Sequence, residues 1–584
     1  MYLCILLFFI SLFPQLGTVV GANPSVIQSP IGSEEMPYKP RPTGTVTFNK
    51  DIAPVIFTRC AQCHHAGQST PFELMSYKDV TSRTQQIVEV TQSLLMPPWL
   101  PESGYGKFAH ERRLSSEEKG LIRQWALDGA IEGLEKAPPA PVFPEGWILG
   151  RPDLIVTMPD EYSLGAEGVD VYRNFVIPVP LNEARYVRAL EFSPGNPRIV
   201  HHAFFMVDEK RASRLRDALD AEVGFSGMNI PAQIPAGQFL SWQPGRLPVV
   251  SPEGLSWLLS KNSDLVLQLH MNRSGKPEKF RPSIGLYFTN APPSKIAIKA
   301  TLTSLTLDIP AGESNYVVSD QLTFPVDTQV LSILPHAHYL AKEIQSYAIL
   351  PDGTKKWLIF IKRWDFKWQG TYEYAEPFLL PKGSTVHMRF TYDNSTNNIH
   401  NSQTTVRRVV YGSQSSDEMC ELRLQTLAVN PAETRLLDFA FNEHLKGKFK
   451  LSAEHRQRIN PRDTEANTEL AVMCAAEGKI EEAKKQLILA AQLDPTSDKP
   501  HLELGIILRF ERRFAEAKIE LETAIRLNSK VARTHGCLGF VHADMGDAAN
   551  AELIFIKCLE LDPSDIEIQE TLVELKQILR SRLN

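Results

Sequence analysis

The sequence predicts a multidomain chain: a small α-helical domain, two all-β sandwiches of jelly-roll type, and a C-terminal α-helical solenoid. Apolar residues near position 121 repeat at helical spacing, short alternating runs dominate from Trp147 to about residue 430, and a 34-residue period begins at Thr464. A length of 584 residues points to about four domains. Hydrophobic content of 43% and charged content of 22% are ordinary for domains that bury their own cores. The net charge of −6 gives no electrostatic reason to expect nucleic acid or an anionic membrane as a partner.

The chain opens on an apolar stretch, residues 2–13, with small residues Val20, Gly21 and Ala22 ahead of Asn23. This is the layout of an export signal over 1–22 and implies a secreted or periplasmic protein. No Lys or Arg precedes the stretch, so an uncleaved anchor is the alternative. Pro14 and Gln15 leave the run short for a spanning helix, and no later segment is apolar enough to cross a bilayer. Residues 23–44, rich in Pro, Ser and Gly, read as a linker.

The helical domain, residues 45–135, carries Cys60-Ala61-Gln62-Cys63-His64. C-x-x-C-H is the pattern of covalent c-type haem: two thiols add to the vinyl groups and the histidine faces the iron. A redox dithiol or half of a zinc site are the alternatives, but no second C-x-x-C and no βαβ pattern accompany it. Met96 in SLLMPPWLPE is the expected sixth ligand, on a loop stiffened by two prolines, with Met75 the other methionine of the domain. His65 reads as a solvated neighbour. Ser115 to Glu118 offers a capping box to a closing helix with Leu121, Ile122, Trp125 and Ala126 on one face. The layout resembles a small class I cytochrome c, which implies haem c held by Cys60, Cys63, His64 and Met96.

A proline-rich connector, 137–146, precedes the β region, which divides near residue 295 into sandwiches of 147–295 and 296–430. Pro351-Asp352-Gly353-Thr354 marks a hairpin. In LSILPHAHYLAKE, His336 and His338 stand two apart, and on a strand such residues share a face. Met419 in GSQSSDEMC adds a thioether, and two imidazoles with a thioether suit copper better than zinc or magnesium. Upstream lie His201-His202 and His270. Neighbours on a strand face opposite ways, so His201 and His202 reach one ion only across a bulge. Taken alone, one of His201 and His202 reads as a core histidine and the other as exposed, His270 as a hydrogen-bonded core residue and the H-x-H as incidental; a further alternative gives the histidine sites to structural zinc. His387 and His400 read as structural, and Met206 and Met271 as packing.

The ordered set H-H, H, H-x-H, then Met in D-E-M-C resembles the copper type II ascorbate-dependent monooxygenases, the peptidylglycine α-hydroxylating and dopamine β-monooxygenase family, over about 150–430. The resemblance implies two copper ions. His201, His202 and His270 would hold an electron-transfer copper; His336, His338 and Met419 would hold the copper that meets O2 and hydroxylates a C–H bond. It implies a small organic or peptide substrate and an electron donor, either an ascorbate-like reductant or a redox protein. Two departures bear on substrate. Leu334 stands where peptide-hydroxylating members have arginine, and Cys420-Glu421-Leu422-Arg423 replaces their C-N-L-Y.

A basic stretch, 444–463, reads as a second linker. From Thr464 the period aligns Leu470/Leu504/Leu538, Ala471/Gly505/Gly539, Ala483/Ala517/Ala551 and Leu487/Leu521/Phe555. These units, 464–497, 498–531 and 532–565, with a capping helix, resemble tetratricopeptide repeats and imply a protein partner or a spacer. Cys420, Cys474, Cys537 and Cys558 form no disulfide framework. Together the parts imply an exported copper monooxygenase whose electrons pass through the haem, in a bacterial setting. The competing reading is a non-catalytic haem–copper electron-transfer protein that docks a partner through its repeats.

Overall fold

The computed structural model describes residues 37–583 except 67–69, 144–145, 169, 228–229, 249, 402–404, 413, 415 and 563–564. The signal expected over 1–22, and most of the 23–44 linker, lie outside the described residues. The chain forms two compact units, Ser29–Leu445 and Lys446–Asn584. Among the described residues no helix is long and apolar enough to cross a membrane.

In the first unit, a short π-helical turn runs into the Ala53–Arg59 helix, whose C-terminal end presents Cys60. The capping box forms as the sequence predicts: Glu118 N donates to Ser115 Oγ, and Ser115 N donates to the Glu118 carboxylate, opening the Ser116–Leu127 helix. Phe48, Ile52, Ile56, Ile122 and Trp125 are buried against one another, each side chain stabilising the fold by about 1.5–3 kcal/mol. Residues 37–44 are not a loose linker. Tyr38 Oη donates to Gln124 Oε1 (2.6 Å) and Gln124 Nε2 donates to Arg41 O (2.8 Å), strapping the segment to the closing helix.

The β region holds two pairs of four-stranded antiparallel sheets, and each pair encloses one core. The first pair spans strands from Leu154–Thr157 to Ser283–Thr289, the second from Ile298–Thr303 to Glu421–Ala428. In the first, Val200–Asp208 lies between Asp264–Met271 and Ser241–Trp242. In the second, Thr328–His336 lies between Glu421–Ala428 and Tyr372–Leu380. The hairpin at Pro351–Gly353 joins Ala341–Ile349 to Lys355–Ile361, closed by Leu350 N to Thr354 O (2.9 Å). The loop after Met96 runs along this second pair. Pro101 and Phe108 make bridges with Ile361 and Tyr374, Glu102 N donates to Phe360 O (2.7 Å), and Phe108 is buried in the sheet core.

The linker expected over 444–463 is instead helix through most of its length, within Thr434–Ile459. That stretch carries one glycine, Gly447, and no proline before Pro461, so nothing in it interrupts the hydrogen-bond ladder. Beyond it, helix pairs 464–476/480–493, 499–510/514–527 and 532–544/548–561 are followed by Ile566–Leu583. Small residues allow the close approach within each pair: a Cβ at Gly505 would meet Leu521 at 2.7 Å, and one at Gly539 would meet Phe555 at 2.5 Å.

Candidate metal centres

His201 and His202 leave the Val200–Asp208 strand where its pairing with Asp264–Met271 slips, between Val200 and His202. Two residues there oppose one, so His201 is the extra residue of a bulge and both imidazoles turn to one side. His270 stands directly across from His202. His201 Nδ1 lies 3.2 Å from His202 Nδ1, which lies 3.3 Å from His270 Nδ1. Nitrogens bound about 2 Å from one tetrahedral ion are about 3.3 Å apart, so this spacing is that of a ligand set. On the far side of His270, Nε2–H donates to Asp170 Oδ2 (3.0 Å), which leaves Nδ1 as the lone pair facing the cluster. Tyr172 stacks on His270 at 4.2 Å and covers it. Burial disfavours the charged form of all three rings: it holds His201 down to about 4, puts His202 well below its ordinary value, and lowers His270 against the pull of Asp170. Neutral imidazole is the form that binds metal.

The second cluster differs from the strand picture drawn from sequence. His336 ends the Thr328–His336 strand and His338 lies just beyond it, so alternation alone does not pair them. Their ring centroids are nonetheless 5.3 Å apart. Each ring is fixed through Nδ1–H: His336 donates to Gln369 Oε1 (2.6 Å), His338 to the Asp417 carbonyl (3.1 Å). Both Nε2 lone pairs are thereby left for a ligand. Burial depresses both pKa values, His338 to about 4. Trp364 Nε1 donates to the His338 carbonyl (3.0 Å).

The Met419 backbone is tied to that of His338 through Glu418, a carboxylate with no exposure. Glu418 Oε2 accepts from His338 N (2.8 Å) and Met419 N (2.9 Å), and Oε1 accepts from Leu340 N (2.7 Å). Burial pushes this carboxyl up to about 8 against the pull of those donors. Tyr392 Oη donates to the Met419 carbonyl (2.7 Å). Arg423 stands across the sheet from Leu334, and its guanidinium binds the Glu421 carboxylate.

In the helical domain, Cys60 and Cys63 are unbridged. Burial pushes the Cys60 thiol up to about 12 and raises Cys63 as well, which weighs against a redox dithiol, whose nucleophile needs a lowered pKa. His64 Nδ1–H donates to Phe72 O (3.1 Å), leaving Nε2 for an iron. Met96 is half-buried at the start of the loop that runs onto the second sheet pair. Two thiols and an imidazole with a fixed tautomer, with a thioether elsewhere in the same domain, are the donor types haem c uses. His65 is not simply solvated: it stacks on Phe143 at 3.8 Å. The Cys63 thiol packs on the first sheet pair, where a Cβ at Gly245 would lie 2.8 Å from its sulfur, and Arg112 Nη1 donates to Gly245 O (2.8 Å). A cavity of about 910 Å³ opens beside this contact, lined by Gln62, His65, Trp242, Arg246 and Glu373 among others.

Sequence reasoning missed Asp170, Tyr172, Trp364, Phe366, Gln369 and Glu418. Each acts through a long-range contact, and only Glu418, adjacent to Met419, was close enough in sequence to be suspected.

Residues 532–565 match the tetratricopeptide repeat family, so the C-terminal helical region contains that repeat. Among solved structures, the "First TPR of Spaghetti (RPAP3) bound to HSP90 peptide SRMEEVD" is 19% identical and covers 20% of this chain and 94% of its own, with a TM-score of 0.20. A crystal structure of MamA is 22% identical, covering 24% and 82%, with a TM-score of 0.21. The first TPR domain of human RPAP3 is 21% identical, covering 21% and 98%, with a TM-score of 0.21. Comparison with curated proteins finds no match.

Proposed function

We propose that this chain is an exported copper-dependent monooxygenase that hydroxylates a C–H bond of an organic substrate with O2. A cytochrome c-like domain supplies electrons to two jelly-roll sandwiches that hold the copper. The observation that carries the reading is the pair of imidazole clusters, each with a buried member, His270 in one and His338 in the other. Asp170 in the first, and Gln369 and the Asp417 carbonyl in the second, fix ring tautomers and turn lone pairs toward a ligand, and Glu418 ties the Met419 backbone to that of His338. Hydroxylation by O2 takes up two electrons and two protons and releases water. Copper supplies one-electron redox chemistry and O2 activation at such donors, and haem c supplies one-electron carriage.

The chain's own residues do the positioning. Asp170 holds the His270 proton on Nε2, Gln369 and the Asp417 carbonyl hold those of His336 and His338 on Nδ1, and Glu418 joins the Met419 segment to His338. The Cys63 thiol packs at Gly245, three residues along the chain from Trp242, which pairs with Ala203, the neighbour of His202. With Arg423 engaged by Glu421 and Leu334 opposite, the reading favours a substrate not held by its carboxylate.

The test is O2 consumption coupled to a hydroxylated product, in protein whose copper and haem have been counted. Met419→Ile abolishes product while haem absorption stays intact. If O2 uptake survives that change, the oxygenase reading fails. The repeat match favours the second reading, an electron-transfer protein whose C-terminal array binds a protein partner. A Cys60→Ala/Cys63→Ala chain that turns over at full rate with the same reductant refutes the haem relay alone.

A further inference from the structure

One segment between two strands touches both imidazole clusters. In residues 364–370, Trp364 binds the His338 carbonyl, Gln369 binds His336, and Phe366 lies between the two sites. The Phe366 ring centroid is 6.4 Å from that of His201, 5.6 Å from His338 and 4.7 Å from Tyr339, all within ring-contact range. The side chain is only 4% exposed. Two metal sites on separate sheet pairs need no such filler if water lies between them. Here an apolar ring takes that space, on a loop tied at both ends to the second site.

We propose that Phe366 is a wedge that sets the separation of the two metal sites and keeps water out of the gap between them. The inference rests on the copper reading of both clusters. Phe366 acts as a positioning residue, fixing the distance by its volume and bounding the space beside His336 and His338.

The experiment is the copper(II)–copper(II) distance in the full chain, measured by pulsed EPR for wild type and for Phe366→Leu, Phe366→Val and Phe366→Ala. Wild type gives one narrow distance. Phe366→Leu, which keeps most of the apolar volume, retains it, whereas Phe366→Val and Phe366→Ala shift it longer and broaden it progressively. If Phe366→Ala fails to fold, Phe366→Val carries the same comparison. An unchanged narrow distance in the smallest folded variant overturns the wedge while leaving the copper reading intact. Fewer than two coppers in wild type overturns the copper reading, and the wedge with it. Carbon monoxide binding to the reduced chain gives a second readout: it is faster in Phe366→Ala than in wild type if the ring limits access, and an equal rate overturns that limit.

Discussion

His338 and Met419, 81 positions apart in the chain, donate their backbone N–H groups to the same oxygen of Glu418, at 2.8 and 2.9 Å. A single buried carboxylate thus holds the proposed imidazole and thioether ligands in register. Glu418→Ala removes it and leaves buried N–H groups unpaired, at about 1–3 kcal/mol each. The expected result is copper falling from two per chain to one, with His201, His202 and His270 still loaded. Glu418→Gln keeps one acceptor oxygen and loses less. Copper analysis with EPR of each variant checks this.

Asp170→Asn tests the other cluster. The carboxylate fixes the His270 tautomer from behind, and loss of such a partner weakens metal binding about 10–100-fold. Competitive chelator titration should show that loss at one copper only, with the His336/His338 copper unchanged.

Acid acts on the copper-free chain in a defined direction. His201 and His338 sit at about 4 in the fold against an ordinary 6.5, so between those values the unfolded chain binds more protons. Their contribution is whole above pH 6.5 and drains as pH falls through about 4, by up to about 1.4 kcal/mol per pH unit for each ring. Glu418 works oppositely: raised to about 8, it stabilises most at low pH and its contribution fades as pH climbs toward that value. Urea unfolding of the metal-free Glu418→Gln chain exposes the histidine limb, and adding His201→Gln and His338→Gln should make it shallower, with His202, His270 and His336 keeping part of the slope.

Gly539→Ala places a Cβ 2.5 Å from Phe555 between the two helices of the third repeat. Overpacking of this kind costs about 1–3 kcal/mol. Thermal unfolding followed by helical circular dichroism should show the loss, while copper and haem content stay at wild-type values.

Elements with local signals were readable from the sequence. The capping box at Ser115 and the hairpin at Pro351–Gly353 depend on residues a few positions apart, the repeat on self-similarity at a fixed period, and the structure forms all three. The bulge at His201 was legible as a requirement, since two neighbouring imidazoles can share a face only there. The second cluster was legible in residue type but not in mechanism, because His338 lies past its strand and is placed by Glu418 rather than by alternation. The helix through 444–459 was misread because its basic, polar composition resembles a linker while its backbone propensities favour helix. Phe366 and Gln369 could not be found, since nothing in WDFKWQG marks contacts to His201, His338 and His336.

The run after Met96 belongs to two bodies at once. It leaves the helical domain, lends Pro101 and Phe108 to the sheet edge, and puts the Phe108 ring inside a core that otherwise comes almost wholly from the second sheet pair. Excising residues 45–135 as a detachable helical domain would therefore pull a plug from its neighbour. Recombination between such modules, in evolution or in the laboratory, has to move the seam to either side of this loop, never through it.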